Sequence, residues 1–148
     1  MLLLISLNDM KTVLKQAHSY IARFDRGEDF VDELIKFCDE NNITCAFFVG
    51  LGGCSRLILA SYNLNTKKYE DHEIVQDLEI ANITGNVASL DGKTVIHAHG
   101  TFGDKNLQTL SGHVRKMIIS GTLEIKLDIF ESKMEREQDP NTGLNLLR

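Results

Sequence analysis

A strict alternation of side chains near the C-terminal end constrains the fold of this chain more than any other feature. Within 123–129, apolar and charged residues alternate without exception: Leu123, Glu124, Ile125, Lys126, Leu127, Asp128 and Ile129. Because successive side chains of a strand point to opposite faces, this pattern predicts a strand with one face in the core and the other in water. Further β-prone runs occur at 19–24, 43–49, 56–62, 67–73, 78–90, 93–99 and 113–120. A chain with this many strands has to be built around a sheet.

One segment has a different period. Apolar residues recur at helical spacing from about 28 to 41, and acidic residues lie near the start, where the helix dipole favours them. Asn41-Asn42 can end this helix in a left-handed conformation. Hairpin turns, of which Asp91-Gly92 is the clearest, join most of the strands. The predicted fold class is therefore α+β, with a largely antiparallel sheet of seven or eight strands and one main helix.

The glycine run Gly50-Leu51-Gly52-Gly53 raises the question of a phosphate-binding loop. Its spacing matches neither a dinucleotide-binding fingerprint nor a P-loop, and the segment that follows has the pattern of a strand rather than a helix. A tight loop is the better interpretation. A second glycine, Gly85, lies inside a strand pattern and is interpreted as a bulge or kink.

A length of 148 residues, with 43% hydrophobic and 25% charged residues, fits one globular domain. We divide the chain into an N-terminal extension and lead-in at 1–18, a single domain at 19–130 and a polar tail at 131–148. Residues 1–9 are expected to be peripheral, because Met10 could itself begin the domain. The tail, which contains Pro140, is expected to be loosely held.

The cysteines and the apolar N-terminus indicate the cellular compartment in which the protein is expected. The three cysteines Cys38, Cys45 and Cys54 are an odd number without CxxC spacing, which indicates buried thiols in a reducing compartment. The apolar residues at 1–7 lack the basic lead-in of a signal peptide, and no apolar run approaches the ~20 residues of a membrane span. We therefore expect a cytoplasmic protein that does not enter a membrane.

The charge balance weakens one class of function. The net charge is −5, and the sixteen basic residues are scattered, with Lys67-Lys68 and Arg115-Lys116 as the only adjacent pairs. Nonspecific nucleic-acid binding depends on Lys and Arg neutralising phosphates, so the composition does not favour it. An oligomer could still assemble a basic patch from several chains.

The stretch VIHAHG carries the clearest chemical signal. His97 and His99 are two residues apart on a predicted strand and therefore share one face. Neutral imidazole is a zinc ligand, and a catalytic zinc commonly has three protein ligands. His113, which follows Gly112, is the candidate for the third, since a glycine permits close backbone approach. The alternative interpretation is that these are unrelated surface histidines.

An enzymatic interpretation would use the metal to lower the pKa of a bound water and a nearby carboxylate as base. Asp104 and Glu124 are the available acids. Neither has a spacing that demands this role. Asp104 also fits a turn, and Glu124 also fits a solvated strand position or an acceptor for hydrogen bonds from another subunit.

The order of these motifs resembles the plants and prokaryotes conserved (PPC) domain over about 20–130. The resemblance is carried by Arg26-Gly27-Glu28, Gly50-Leu51-Gly52-Gly53, Ile83-Thr84-Gly85-Asn86-Val87-Ala88, His97-Ala98-His99, Ser111-Gly112-His113-Val114 and the segment 121–127. It implies a compact α+β domain that assembles as a homotrimer. It also implies that the three histidines lie near a subunit boundary and, in some prokaryotic members, hold a metal ion.

The segment 121–127 is similar to a motif through which plant members of the family contact partners. Gly121, Glu124 and Ile125 match that motif and are implied partner or subunit contacts, whereas Thr122 and Leu123 depart from it. The AT-hook that enters the minor groove in plant members is absent from this sequence, so the resemblance lends little support to direct DNA binding.

Three functions follow from these observations. The preferred one is a stand-alone prokaryotic PPC-like module, homotrimeric, that carries Zn2+ or a similar metal at His97, His99 and His113 and engages a protein or small ligand. The alternative is a metal-dependent enzyme that uses the same histidines. The third is a DNA-associated regulator.

Overall fold

Eight strands and one helix make up residues 10–148, the part of the chain that the computed structural model describes. Residues 1–9, which the sequence predicts to be peripheral, lie outside the described residues. In chain order the elements are β1 (Lys11–Gln16), β2 (Ser19–Asp25), α1 (Phe30–Glu40), β3 (Ala46–Asn63), β4 (Lys68–Leu90), β5 (Lys93–Gly103), β6 (Thr109–Ile129), β7 (Arg136–Gln138) and β8 (Asn145–Leu147).

Six of the strands form one antiparallel sheet that closes on itself. The strand order is β1-β2-β6-β3-β4-β5, and β5 also pairs with β6. The beginning of β6 pairs with β5 up to His113, β6 pairs with β3 from His113 onward, and its second half lies between β3 and β2. Strands β3, β4, β5 and β6 thus surround the core, with β2 and β1 as an extension. The α+β class and the largely antiparallel sheet are confirmed.

The helix closes the core on one side. Its N-cap is Asp29, whose carboxylate accepts a hydrogen bond from the Val31 amide, and it buries Phe30, Leu34 and Cys38. The Phe30 ring packs edge-on against Phe24 of β2 and Phe48 of β3, with ring centroids 5.4 and 5.6 Å apart respectively. Burial of an amphipathic face against a sheet is the main source of stability for a short helix, and α1 follows that rule.

The predicted sheet differs from the observed one in the length of its strands. The main sheet has six strands rather than seven or eight, and β7 and β8 form a separate hairpin. The runs predicted separately at 43–49 and 56–62 fall in one strand, as do those at 67–73 and 78–90. The run at 113–120 likewise continues into the alternating strand at 123–129. The long strands continue through register shifts, which bend a strand without ending it.

The glycine run is part of β3, so the prediction of a tight loop was wrong. An added Cβ at Gly52 would lie 2.0 Å from the Thr122 carbonyl oxygen, and one at Gly50 would lie 2.5 Å from that of Glu124. These glycines therefore permit close approach of β6 rather than a turn. Gly85 of β4 likewise permits the close approach of β5, because an added Cβ there would lie 2.2 Å from the His97 carbonyl oxygen. The register shift of β4 against β5 lies between Ile80 and Asn82, not at Gly85.

The C-terminal segment is held against the sheet, which corrects the expectation of a loosely held tail. The Tyr62 hydroxyl donates to the Thr142 carbonyl at 2.6 Å, and the Lys67 ammonium donates to the Pro140 carbonyl at 2.8 Å. The Ser89 amide donates to the Met134 carbonyl at 2.8 Å. Such contacts with backbone carbonyls leave no signature in a polar sequence. The division at 1–18, 19–130 and 131–148 stays a prediction.

The three cysteines are free and buried, as the sequence indicates. Burial raises the pKa of Cys38 and of Cys54 to about 12, so both thiols remain protonated at neutral pH. Among residues 10–148, no helix has the length and apolar character needed to cross a bilayer.

Candidate metal centre

Two of the candidate ligands project from the outer face of β5. The side chains of Ala98 and Phe102 point into the core, whereas His97 is half-buried and His99 is exposed on the opposite face. The imidazole rings of His97 and His99 meet edge to face, with centroids 5.1 Å apart. The shared face expected from the strand period is confirmed.

The register between β5 and β6 brings the third histidine to the same place. His99 lies directly opposite His113 where β5 and β6 close the sheet, and His113 also pairs with Ala60 of β3. The ring of His113 lies 5.3 Å from that of His97 and 5.6 Å from that of His99. Gly112 is not what permits this approach, because an added Cβ there would meet no atom closer than 3.6 Å.

The three imidazoles offer a compact set of nitrogen ligands. One ring nitrogen from each histidine lies within 4.8 Å of the other two. The Nε2 atoms of His97 and His99 are 3.3 Å apart. Two nitrogens bound to one tetrahedral zinc at 2.0–2.1 Å would be roughly 3.3 to 3.4 Å apart, so this pair already has the spacing of two ligands.

Burial favours the uncharged form of two of these rings. The pKa of His113 is lowered to about 4, first by burial and then by the neighbouring His97 and His99. The pKa of His97 is also lowered, first by burial and then by the charges of Arg136 and His99. Neutral imidazole is the form that binds a metal ion, so the site is prepared for ligation at neutral pH.

The low pKa of His113 predicts acid sensitivity of the metal-free protein. An unfolded chain takes up this proton near pH 6.5, whereas the folded chain takes it up near pH 4. The unfolded state binds more protons between these values, so the free energy of unfolding should fall as the pH is lowered through this window. Thermal unfolding of EDTA-treated protein from pH 7.5 to 4.5 measures the effect. The His113→Gln variant should show a shallower dependence, and equal slopes would contradict the assignment.

An arginine from the C-terminal segment joins the histidines. The Arg136 guanidinium donates to the Asn86 side-chain oxygen at 2.7 Å and to the Asn145 carbonyl at 2.8 Å, and its Nη2 lies 3.4 Å from His97 Nδ1. Asn86 is buried and lies opposite His97 in the β4–β5 register. Sequence reasoning missed Arg136, since a lone arginine in a polar tail carries no local signal.

A cavity of about 490 Å³ opens beside the three histidines. Strands β3 to β6 form one side of it, and the segment around the β7–β8 hairpin forms the other. Its volume is typical of sites for small molecules. The tail that the sequence assigned to the periphery therefore forms a wall of the candidate site.

The candidate acids do not belong to this cavity. Asp104 accepts hydrogen bonds from the amides of Asn106 and Gln108, both at 2.8 Å, which makes it a turn residue. Glu124 lies on the second half of β6, opposite Leu51 and away from the end that holds His113. Neither acid is among the residues that line the cavity. The expectation of a base at one of these two positions is not supported.

The implied partner contacts are divided between two faces of β6. Glu124 and Gly121 are on the exposed face, whereas the Ile125 side chain is 1% exposed and belongs to the core. Of the three, only the two outward residues are placed to touch a partner. The contact itself stays a prediction.

The donor set fits a zinc-type ion. All three candidate ligands are imidazoles, which suit zinc, copper, iron and nickel, and the register of two paired strands holds them. His113 Nδ1 is buried and has no hydrogen-bond partner within residues 10–148. A buried polar atom in this condition calls for a partner such as an ion or a water.

Fold and site together define a class: α+β proteins whose long antiparallel sheet closes beside a three-imidazole cluster and a cavity. Within that class the chain belongs to the Plants and Prokaryotes Conserved (PCC) domain family, also abbreviated PPC, whose model matches residues 12–131. The match covers most of the chain and ends before the segment that carries Arg136.

Several solved structures share the fold. A "putative DNA-binding protein" from Bacteroides thetaiotaomicron is 29% identical, with a TM-score of 0.91 over 95% of this chain and 98% of that one. A plant- and prokaryote-conserved protein from Pyrococcus horikoshii is 25% identical, with a TM-score of 0.83 over 94% and 97%. A metal-containing protein from Archaeoglobus fulgidus is 24% identical, with a TM-score of 0.82 over 97% and 99%, a likeness of fold alone. No curated protein matches the chain.

Proposed function

We propose that the protein is a homotrimeric binding module that carries a zinc-type divalent cation on His97, His99 and His113. The observation that carries the proposal is the convergence of three imidazole nitrogens within 4.8 Å across the seam between β5 and β6. The unpartnered His113 Nδ1 and the depressed pKa values of His97 and His113 support it. The cavity beside the cluster gives the module a place to bind a ligand.

Metal analysis of protein purified without an affinity tag tests the proposal. Wild-type protein should contain close to one equivalent of metal per chain, and the His97→Ala/His99→Ala double variant should contain none. Light scattering on both proteins then separates two roles of the ion. Metal loss with the assembly intact would indicate a ligand-binding or catalytic ion, and joint loss would indicate a structural one. Wild-type protein that takes up no added zinc would contradict the proposal.

Self-association is supported by an apolar row on the outer face of β3. Phe47, Val49 and Leu51 point away from the core and are 46%, 49% and 58% exposed. Phe130 extends the row, with its ring centroid 6.3 Å from that of Phe47. A contiguous exposed apolar patch of this kind typically marks a protein interface. The proposal that the assembly contains three copies of the chain is based on the resemblance to the PPC family.

A charge placed in this row should disrupt the assembly. The Val49→Lys variant would have to desolvate an ammonium at the interface, so we expect smaller particles than wild type in light scattering at equal concentration. The metal content should not change, because Val49 does not line the histidine cavity. Leu64→Lys is the matched control, since Leu64 is 62% exposed in a turn outside the row. An unchanged mass for Val49→Lys would exclude this row as the interface.

A metal-dependent enzyme is the second candidate, and the cavity adjoining the histidines favours it. A bound zinc would supply Lewis acidity and a water of lowered pKa. His97, His99 and His113 would hold the ion, and Arg136 would orient a substrate. Because neither Asp104 nor Glu124 lines the cavity, a proton acceptor would have to come from elsewhere in the assembly.

DNA association is the remaining candidate, and it is favoured by the descriptions of two proteins of similar structure. The net charge of −5 gives it no support. Binding of duplex DNA by the assembled protein would have to weaken steeply with salt, as phosphate contacts require.

A further inference from the structure

The cavity beside the histidines has both polar and apolar residues in its lining. The polar residues include the three imidazoles together with Arg115 and Arg136. The aliphatic residues of the lining are Leu90, Val95, Ile96, Leu144 and Leu146. Within the described part of the chain, no aspartate or glutamate lines the cavity. The ligand that fits such a cavity has one charged or polar group and an apolar body.

One of the two arginines already has its counter-ion. The Nε of Arg115 lies 2.8 Å from the Asp71 carboxylate, and its guanidinium stacks over the Tyr69 ring at 4.7 Å. The positive charge of Arg115 is therefore largely neutralised within the protein. Arg115 therefore forms part of the cavity wall but adds little positive potential inside the cavity.

The other arginine has only uncharged acceptors. Arg136 contacts the Asn86 side chain, the Asn145 carbonyl and His97, and no carboxylate in residues 10–148 forms an ion pair with it. Burial lowers the pKa of Arg136, as expected for a cation partly removed from water. A partly buried charge without a counter-ion is costly, and an anion from outside would offset that cost.

Metal binding would leave Arg136 with a free donor. A neutral imidazole has one lone pair and one N–H group. If His97 binds the metal through the Nε2 atom that faces His99, its Nδ1 must carry the proton. That nitrogen then no longer accepts from Arg136, which lies 3.4 Å away. Because Arg136 lines the cavity, this released N–H group would be available to an anionic ligand.

We propose that this cavity binds a small organic monocarboxylate, with the carboxylate on Arg136 and an apolar body against the aliphatic residues of the lining. The released N–H can donate a charge-assisted hydrogen bond to a carboxylate oxygen. The aliphatic part of the lining disfavours a polyphosphate or a sugar and favours an acid with an apolar body. The inference deepens the proposed function and rests on it for the released donor, whereas the uncompensated charge of Arg136 is present without the metal.

Titration calorimetry with 3-phenylpropanoate tests the inference on the full chain. The protein is first loaded with zinc, and its metal content is measured before the titration. The neutral isostere 3-phenylpropanamide tests the need for charge, and acetate tests the need for an apolar body. We expect 3-phenylpropanoate to bind at least about tenfold more tightly than either, as a charge-assisted hydrogen bond and the burial of an aromatic body would each provide.

The variants Arg136→Gln and Arg115→Gln form a matched pair on the same cavity wall. The first should lose the preference for acid over amide, and the second should retain it, because Arg115 is already paired with Asp71. Circular dichroism checks that both variants fold. If Arg136→Gln does not fold, the metal-free wild-type protein decides, because a preference for the acid over the amide there cannot come from binding of the carboxylate to zinc, and its absence overturns the inference.

The outcomes separate this inference from the proposed function. Zinc-loaded protein that binds the acid no better than the amide, or binds neither, overturns the inference and leaves the metal site standing. If the protein takes up no zinc, the proposed function fails. The same titration on the metal-free protein then decides, since preference for the acid that depends on Arg136 supports the carboxylate site and its absence overturns it.

Discussion

The Gly52→Ala variant is expected to be strongly destabilised, with a loss of about 3 kcal/mol or more in the free energy of unfolding. The added methyl would lie 2.0 Å from the Thr122 carbonyl oxygen and 2.7 Å from Leu123 Cα. Both atoms belong to the backbone of β6, so no side-chain rotation relieves the overlap. Strands β3 and β6 would have to separate, and they make the central pairing of the sheet.

Denaturant unfolding followed by circular dichroism measures this effect. Gly103→Ala is the control, because an added Cβ at Gly103 of β5 meets no atom within 4 Å. Its stability should remain within about 0.5 kcal/mol of wild type. A typical domain is stable by about 5–15 kcal/mol, so Gly52→Ala removes a large share of the total. Equal stability of the two variants would mean that β3 and β6 are not packed as described.

The His113→Ala variant is expected to lose zinc affinity by more than about 100-fold. His113 is the ligand candidate that comes from the second strand, so its removal leaves two imidazoles on β5 alone. Changes in residues that merely orient a ligand reduce metal affinity by about 10- to 100-fold, and loss of a ligand should exceed that range. Competition with a chromophoric chelator at pH 7.5 measures the affinity.

His72→Ala provides the control for this variant. His72 is an exposed residue of β4 whose ring contacts the Ser61 hydroxyl at 3.3 Å, outside the candidate metal centre. Its zinc affinity should equal that of wild type. If His113→Ala binds zinc as tightly as His72→Ala does, the ion is held without β6, and the three-histidine centre is ruled out.

Strands β5 and β6 follow the short-range patterns of the sequence. The alternation at 123–129 identified the inward residues correctly, as the burial of Leu123 and Leu127 shows. The turn at Asp91-Gly92 was also predicted correctly, and both residues adopt positive φ angles of 50° and 77°. These features depend on short-range sequence, because a period of two and a two-residue turn are local properties.

The glycines and the tail show why other features could not be predicted. A glycine inside a strand and a glycine in a loop look alike in sequence, since the difference depends on how closely another strand approaches. At Gly52 that strand is β6, which lies about seventy residues further along the chain. The tail at 131–148 is polar, and its docking depends on hydrogen bonds to distant groups such as the Tyr62 hydroxyl.

The sequence by itself determined that His97 and His99 share a face, because strand geometry allows no other arrangement for residues two apart. It did not determine that His113 would lie opposite His99 or that Arg136 would reach Asn86. Those placements arise from strand register and from the docking of the C-terminal segment. Both are set by packing between residues far apart in the chain, so only the tertiary structure decided them.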